Sequence, residues 1–323
     1  MLELDHLWTP VHAARPVSIN APKKVRSRKG AYKVAVILPD PQIGYREFKG
    51  GKLDPFHDEK AMDVALQITG WLEEHERVDS VINLGDFIDL PAQGRFEQEP
   101  AFAYTTQYAL DRGHKFLQEQ RAAAGPKAKI VLIEGNHDRR MEKFIVANAA
   151  SAFGLKRANT DEIPVMSLPY LLRLDEIGVE YIDAYPAGAY WLNDKLRAIH
   201  GDKVRSAGST AAAYTNHSPH ISTIFGHVHR QELQSRTVFD RKGPIKSQAI
   251  SPGCLCRVDG AVPSVNGSTK IDGTPATYYE NWQQGVAIVS YKDTGEFFTE
   301  LVQINDGVAV FRGREFVAKS MLK

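Results

Sequence analysis

The sequence predicts one large α/β domain whose first half carries a parallel sheet. Three observations predict it. Three times an apolar strand runs into a polar loop, the order expected of βα units. The second half then turns strand-rich. Finally, 43% hydrophobic and 24% charged residues over 323 positions supply enough apolar surface for a sizeable core.

The elements follow in order. Residues 33–38, a short apolar run ended by Pro39, read as the first buried strand. A helix is predicted over 58–76, because Ala61, Val64, Ala65, Ile68, Trp71 and Leu72 share one face at helical spacing. Ser80 to Leu84 is the next strand and runs into Gly85-Asp86. A helix over 101–124 stops at the breaker Gly125-Pro126. Residues 129–134 form a third strand and lead to Gly135-Asn136-His137-Asp138. Further strands are expected near 179–183, 188–192 and 196–199, and an Ala-rich helix over 206–214. The strand 221–225 delivers Gly226-His227-Val228-His229. Strands near 233–239, 245–250, 285–291, 297–304 and 307–312 complete the pattern, with a long loop over 251–281.

Residues 1–30 read as an N-terminal extension with three prolines and a basic run from Lys23 to Lys29. The domain is expected over 31–323. No stretch approaches 18 consecutive apolar residues, so no membrane association is expected. The start, Met1 to His6, lacks a basic region followed by an apolar run, which argues against a secretory signal. The two cysteines, Cys254 and Cys256, cannot form a disulfide framework and are expected as free thiols in a cytoplasmic protein. A net charge of +1 excludes a whole-surface electrostatic grip on nucleic acid.

Chemistry concentrates in five polar clusters that follow strand ends. They are Asp40-Pro41-Gln42, Gly85-Asp86 with Asp89, Gly135-Asn136-His137-Asp138, His200-Gly201-Asp202 and Gly226-His227-Val228-His229. In an open α/β sheet the carboxyl ends of the strands line one crevice. Convergence would bring oxygen and imidazole donors together without thiolate, a set that suits divalent cations at a catalytic rather than a closed structural site. Clusters spread from Asp40 to His229 must share one domain. His57, His75 and His114 have no motif context and read as surface residues.

In order, spacing and strand context these clusters resemble the motifs of the calcineurin-like metallophosphoesterase superfamily. The resemblance covers roughly residues 33–310. It implies a four-layer α/β/β/α sandwich with mixed sheets. It also implies two divalent cations, with Mn²⁺ favoured and Mg²⁺, Fe, Zn²⁺ and Ni²⁺ as alternatives. Carried over, Asp40, Gln42, Asp86 and His229 would surround the first, and Asp86, Asn136, His200 and His227 the second. His137 would act as general acid toward the leaving oxygen, oriented by Asp138, while a hydroxide activated between the cations attacks phosphorus. Arg139, Arg140 and Arg230 directly follow motif residues and are candidates for gripping phosphate; solvated surface arginine is the alternative. Asp89 is either a hydrogen-bond partner behind the site or a helix cap.

Two departures from the family pattern matter. Gln42 stands where the family usually has His, which implies a weaker first metal site. Leu90 stands where the protein phosphatases carry an arginine for a dianionic phosphate. The expected activity is therefore hydrolysis of a phosphodiester in a nucleotide or nucleic acid, by a cyclic nucleotide phosphodiesterase or a nuclease. Gln42 keeps a nucleotide diphosphatase acting on ADP-ribose-like substrates as an alternative. A catalytically weak binding protein on the same fold is the other.

Overall fold

Apolar runs become strands and amphipathic runs become helices in chain order. The first half holds β1 (Lys33–Leu38), β2 (Tyr45–Phe48), β3 (Lys52–Pro55), α1 (Glu59–His75), β4 (Ser80–Asn83), α2 (Thr106–Ala124), β5 (Lys129–Ile133) and α3 (Arg140–Asn148). Then come α4 (Leu168–Leu171), α5 (Leu174–Ile177), β6 (Val179–Ile182), β7 (Ala189–Asn193), β8 (Leu196–Ile199), α6 (Thr210–His217) and β9 (Ser222–Phe225). The chain closes with β10 (Gln231–Asp240), β11 (Gly243–Pro252), β12 (Gln284–Tyr291), β13 (Phe297–Ile304), β14 (Val308–Phe311) and β15 (Arg314–Val317). This is a computed structural model, and it describes residues 32–94, 99–159, 162–263 and 280–322. The basic arm over 1–30 and most of the predicted loop over 251–281 lie outside the described residues.

Two mixed sheets organise these elements. The larger has the order β13-β12-β1-β4-β5-β6. Its four central and edge strands β1, β4, β5 and β6 are parallel, with Val36, Val81, Ile130 and Val179 side by side. β12 and β13 extend it in antiparallel fashion. The smaller sheet has the order β10-β11-β9-β8-β7, with β8, β9 and β11 parallel and both edges antiparallel.

The period-two alternation of the strands sorts their side chains onto two buried faces. Val34, Val36, Leu38, Val81, Ile130 and Leu132 pack against Ala61, Val64, Ala65, Ile68 and Leu72 of α1 and Phe116 and Leu117 of α2. Ala35, Ile37, Ile82, Val131 and Ile133 meet Leu196, Ala198, Ile224 and Ile250 of the smaller sheet. On that sheet's far side Ile199, Phe225 and Ala249 pack on Ala211 and Tyr214 of α6. Strands buried on both faces explain the uninterrupted apolar runs. The result is a mixed α/β protein in which both sheets send strand ends toward one place.

Several features have no counterpart among the predicted elements, including the short helices α4 and α5 and the strand β15. The hairpin β2–β3 is short and polar and turns at Gly50-Gly51, so it shows no apolar alternation. Helix α3 buries only Arg140 and Ile145 and leaves Phe144 and Val146 exposed, so it has no core stripe to read. His57, expected on the surface, is 1% exposed, packed edge-on against Tyr45 and 3.1 Å from Glu59. No helix among the described residues is long and apolar enough to cross a membrane.

Candidate metal centre

Each predicted cluster sits just past the end of a strand. β1 delivers Asp40 and Gln42, β4 delivers Asp86, and β5 delivers Asn136 and His137. From the smaller sheet β8 delivers His200, and β9 delivers His227 and His229. The chain must turn sharply there, and the backbone records it. Eleven described non-glycine residues have positive φ, and five of them are predicted ligands: Asp40, Gln42, Asp86, His227 and His229. Such conformations cost on the order of 1–3 kcal/mol each and persist where the surroundings hold them.

Close backbone approach needs glycine at two of these turns. A Cβ on Gly135 would lie 2.1 Å from the Asp86 nitrogen. A Cβ on Gly226 would lie 2.3 Å from Asp40 Oδ2.

Two groups of donors meet at Asp86. Asp40, Asp86 and His229 form one, and Asp86, His200 and His227 the other, with the ligand atoms of each within 4.8 Å of one another. His200 shows why such a group suits a cation. Its Nδ1 lies 2.9 Å from the Leu84 carbonyl oxygen, which can only accept, so Nδ1 carries the proton. Its Nε2 then faces Asn136 Oδ1 at 3.0 Å and Asp86 Oδ1 at 3.3 Å. In the neutral imidazole these are three acceptors turned on one another, and a cation at that point relieves the repulsion. The carbonyl behind Nδ1 is the kind of outer partner that orients a metal-binding histidine.

The other group is similar. Asp40 Oδ1 accepts from the His227 backbone N–H at 2.8 Å and lies 3.4 Å from His229 Nε2, whereas buried Oδ2 has no partner. Gln42 Nε2 donates to Asp86 Oδ2 at 3.1 Å and lies 3.4 Å from His229 Nε2. The unpartnered atom of Gln42 is its buried Oε1. A half-turn of the amide would bring Oε1 to the carboxylate–imidazole side, where a cation would accept it.

The electrostatics agree with neutral imidazoles and a need for positive charge. Burial, reinforced by His200, pushes His227 down to about 3. Burial likewise pushes His229 down to about 4. Both keep a lone pair at neutral pH. Burial pushes the Asp40 carboxyl up to about 8, opposed by His200 and assisted by the Asp86 charge. Burial acts in the same sense on Asp86, but His137, His200 and His227 outweigh it and hold that carboxyl well below the usual range.

Compared with known proteins, the chain matches no family model and no curated protein.

The predicted role of Asp138 needs correction. Its carboxylate accepts from the backbone N–H groups of Phe87, Ile88 and Gly135 at 2.8–3.2 Å. It ties two loops together and does not orient His137. Asp89 does: its Oδ1 lies 3.0 Å from His137 Nδ1 and 2.6 Å from Arg140 Nη1. Arg140 Nη2 lies 3.0 Å from His137 Nε2, so that nitrogen accepts and Nδ1 carries the proton toward Asp89. Burial and the Arg140 guanidinium both disfavour a charge on His137, yet Asp86 and Asp89 outweigh them, and the net shift is upward.

The donor groups open on a cleft of about 860 Å³. Of the three candidate arginines, Arg140 and Arg230 line it. Arg139 does not; it donates to the Tyr185 carbonyl and reaches Glu142. Arg230 is braced by Glu232 at 3.1 Å and by the Arg205 carbonyl at 2.7 Å. Lys143 and Phe144 of α3, Tyr185 and Trp282 also line the cleft, and none of them belongs to one of the five polar clusters. Tyr185 stands edge-on to His200, its backbone N–H donates to Glu134, and burial pushes its phenol up to about 12. Trp282 packs edge-on to His229 at 4.3 Å between centroids. The spacing of Arg140 three residues after His137, one helical turn, is the only local signal for its contact.

Proposed function

We propose that this protein is a dinuclear-metal phosphodiesterase acting on a nucleotide or nucleic-acid phosphodiester. Its two facing sheets with outer helices would be the four-layer sandwich of the calcineurin-like metallophosphoesterases. One observation carries the reading. His200 Nε2, Asn136 Oδ1 and Asp86 Oδ1 converge as acceptors, and Asp86 is shared with a second group holding Asp40 and His229. Asp40, Gln42, Asp86 and His229 would hold one cation; Asp86, Asn136, His200 and His227 would hold the other. Oxygen and imidazole donors, two of them the neutral amides of Gln42 and Asn136, favour Mn²⁺ or Mg²⁺. Two such cations supply Lewis acidity toward a phosphate oxygen and lower the pKa of water toward neutrality.

The remaining work falls to the chain's own side chains. Arg140 and Arg230, with Lys143 nearby, put positive charge on the cleft wall to receive phosphate oxygens. Asp89 holds His137 Nδ1–H and so keeps Nε2 toward the cleft. When Arg140 turns from Nε2 to a phosphate oxygen, Nε2 is freed to take up a proton from solvent, which the upward-shifted imidazole favours, and to pass it to the leaving oxygen.

The test is a comparison of initial rates with Mn²⁺ on bis(p-nitrophenyl) phosphate, 2′,3′-cyclic nucleotides, linear DNA and ADP-ribose. Turnover of the diesters, weakened in His137→Ala, is expected. Activity confined to ADP-ribose would instead establish a nucleotide diphosphatase. No turnover of any phosphoester by the wild-type chain would leave a binding protein.

A further inference from the structure

His229 has a second set of neighbours that the reaction does not use. On the side away from Asp40 its Nδ1 lies 3.8 Å from Cys256 Sγ. His229, Cys254 and Cys256 form a third group of buried potential ligands, their donor atoms again within 4.8 Å of one another. Both thiols are free.

The spacing is already close to what a tetrahedral cation requires. With metal–sulfur distances of about 2.3 Å and metal–nitrogen distances of about 2.1 Å, a sulfur and a nitrogen ligand stand about 3.6 Å apart. The observed 3.8 Å therefore needs little movement. The backbone around the thiols is also fixed. The Cys254 N–H donates to the Gln283 carbonyl at 3.0 Å, and Gln283 N–H donates to the His229 carbonyl at 2.9 Å. Gln284 Nε2 donates to the Cys256 carbonyl at 2.8 Å. The three donors are thus held to one another before any ion arrives.

We infer that His229, Cys254 and Cys256 form a site for a thiophilic divalent cation, of which Zn²⁺ is the natural example, and that it competes with the neighbouring oxygen-and-imidazole group for His229. Two sulfurs and one imidazole select a softer cation than Asp40, Gln42 and Asp86 do. Binding displaces one proton from each thiol to solvent and forms two metal–sulfur bonds and one metal–nitrogen bond. A neutral imidazole has one lone-pair nitrogen. With Nδ1 bound to the soft cation, Nε2 holds the proton and points it at Asp40 Oδ1, 3.4 Å away. His229 then has nothing to offer the first cation. One imidazole with one proton serves one site or the other.

The competition rests on the proposed dinuclear centre, whereas the soft site stands without it. Cd²⁺ is the probe, titrated into the reduced full-length protein while the ultraviolet thiolate-to-metal charge-transfer band is followed. The band should saturate at one equivalent per chain and be lost in C254S and in C256S. In protein preloaded with Mn²⁺, the same equivalent should release one Mn²⁺ per chain, read by the paramagnetic resonance of the free ion. Asp86→Asn should keep the band while losing Mn²⁺, which separates the two sites even if a cysteine variant does not fold. Absence of the band through one equivalent would overturn the site, and so would its persistence in both cysteine variants. A band formed with all Mn²⁺ retained would overturn the competition. If the wild-type chain binds no Mn²⁺ before Cd²⁺ is added, the dinuclear reading fails, while a thiolate band would still support the soft site.

Discussion

Asp86 is the residue on which both donor groups depend, since each includes its carboxylate. Asp86→Asn should therefore reduce metal content at both and lower turnover more than about 100-fold, beyond the 10- to 100-fold typical of outer partners. Elemental analysis beside the diester assay checks it. Asp89 differs because it touches His137 and Arg140 and belongs to neither group. Asp89→Asn should lower kcat by roughly 10- to 100-fold while metal content holds. Equal loss of metal would show that Asp89 supports the centre rather than the acid. Gly135 matters through what it lacks. Gly135→Ala brings a Cβ to 2.1 Å from the Asp86 nitrogen, and the fit is too tight to absorb it. A loss of about 1–3 kcal/mol in chemical denaturation is expected, as for other overpacked sites.

At the scale of elements, strand ends present the donors and helix α3 supplies part of the cleft wall. Arg140, Lys143, Phe144, Ala147 and Asn148 all line the cleft from α3. Arg140 is buried and held by Asp89, whereas Lys143, Phe144, Ala147 and Asn148 are exposed along the cleft. Lys143→Glu should raise KM for a phosphodiester about fivefold with little change in kcat, the effect of roughly 1 kcal/mol from an exposed charge. A drop confined to kcat would remove α3 from substrate binding. The strands have the opposite character. β1, β4 and β5 are buried on both faces, so their register against one another aligns the loops that follow. This is why apolar runs and the glycine-led clusters after them were readable: both are local. Helix α3 and the hairpin β2–β3 were not, because neither carries a periodic apolar stripe.

At the scale of the whole molecule, the donor groups join the two sheets. β1, β4 and β5 contribute from one and β8 and β9 from the other, so an ion held there ties the sheets together. Mn²⁺ at about 100 times its dissociation constant should stabilise the folded state by about 2.7 kcal/mol. For a chain this long that is a rise in Tm of about 4 °C, reversed by a chelator. A Tm unmoved by Mn²⁺ would count against a cation bridging the sheets. The near-zero net charge is no obstacle to an anionic substrate, since cations held at the donor groups would act locally, as the cleft arginines do.

The sequence by itself determined the buried strands of the two sheets, helices α1 and α2, the five polar clusters and the glycines that let the backbone close on them. These are properties of short stretches, set by side-chain period and local φ. Only the tertiary structure decided which side chains share a proton or face an ion. Asp89 and Asp138 are both acids within a few residues of a site motif, and nothing local says that the first holds His137 while the second clamps backbone N–H groups. Cys256 stands 27 residues from His229, and only the packing of the loop after β11 against the end of β9 brings the thiol to the imidazole. Contacts of that kind depend on how sheets and loops meet across long stretches of chain, and spacing along the sequence does not encode that distance.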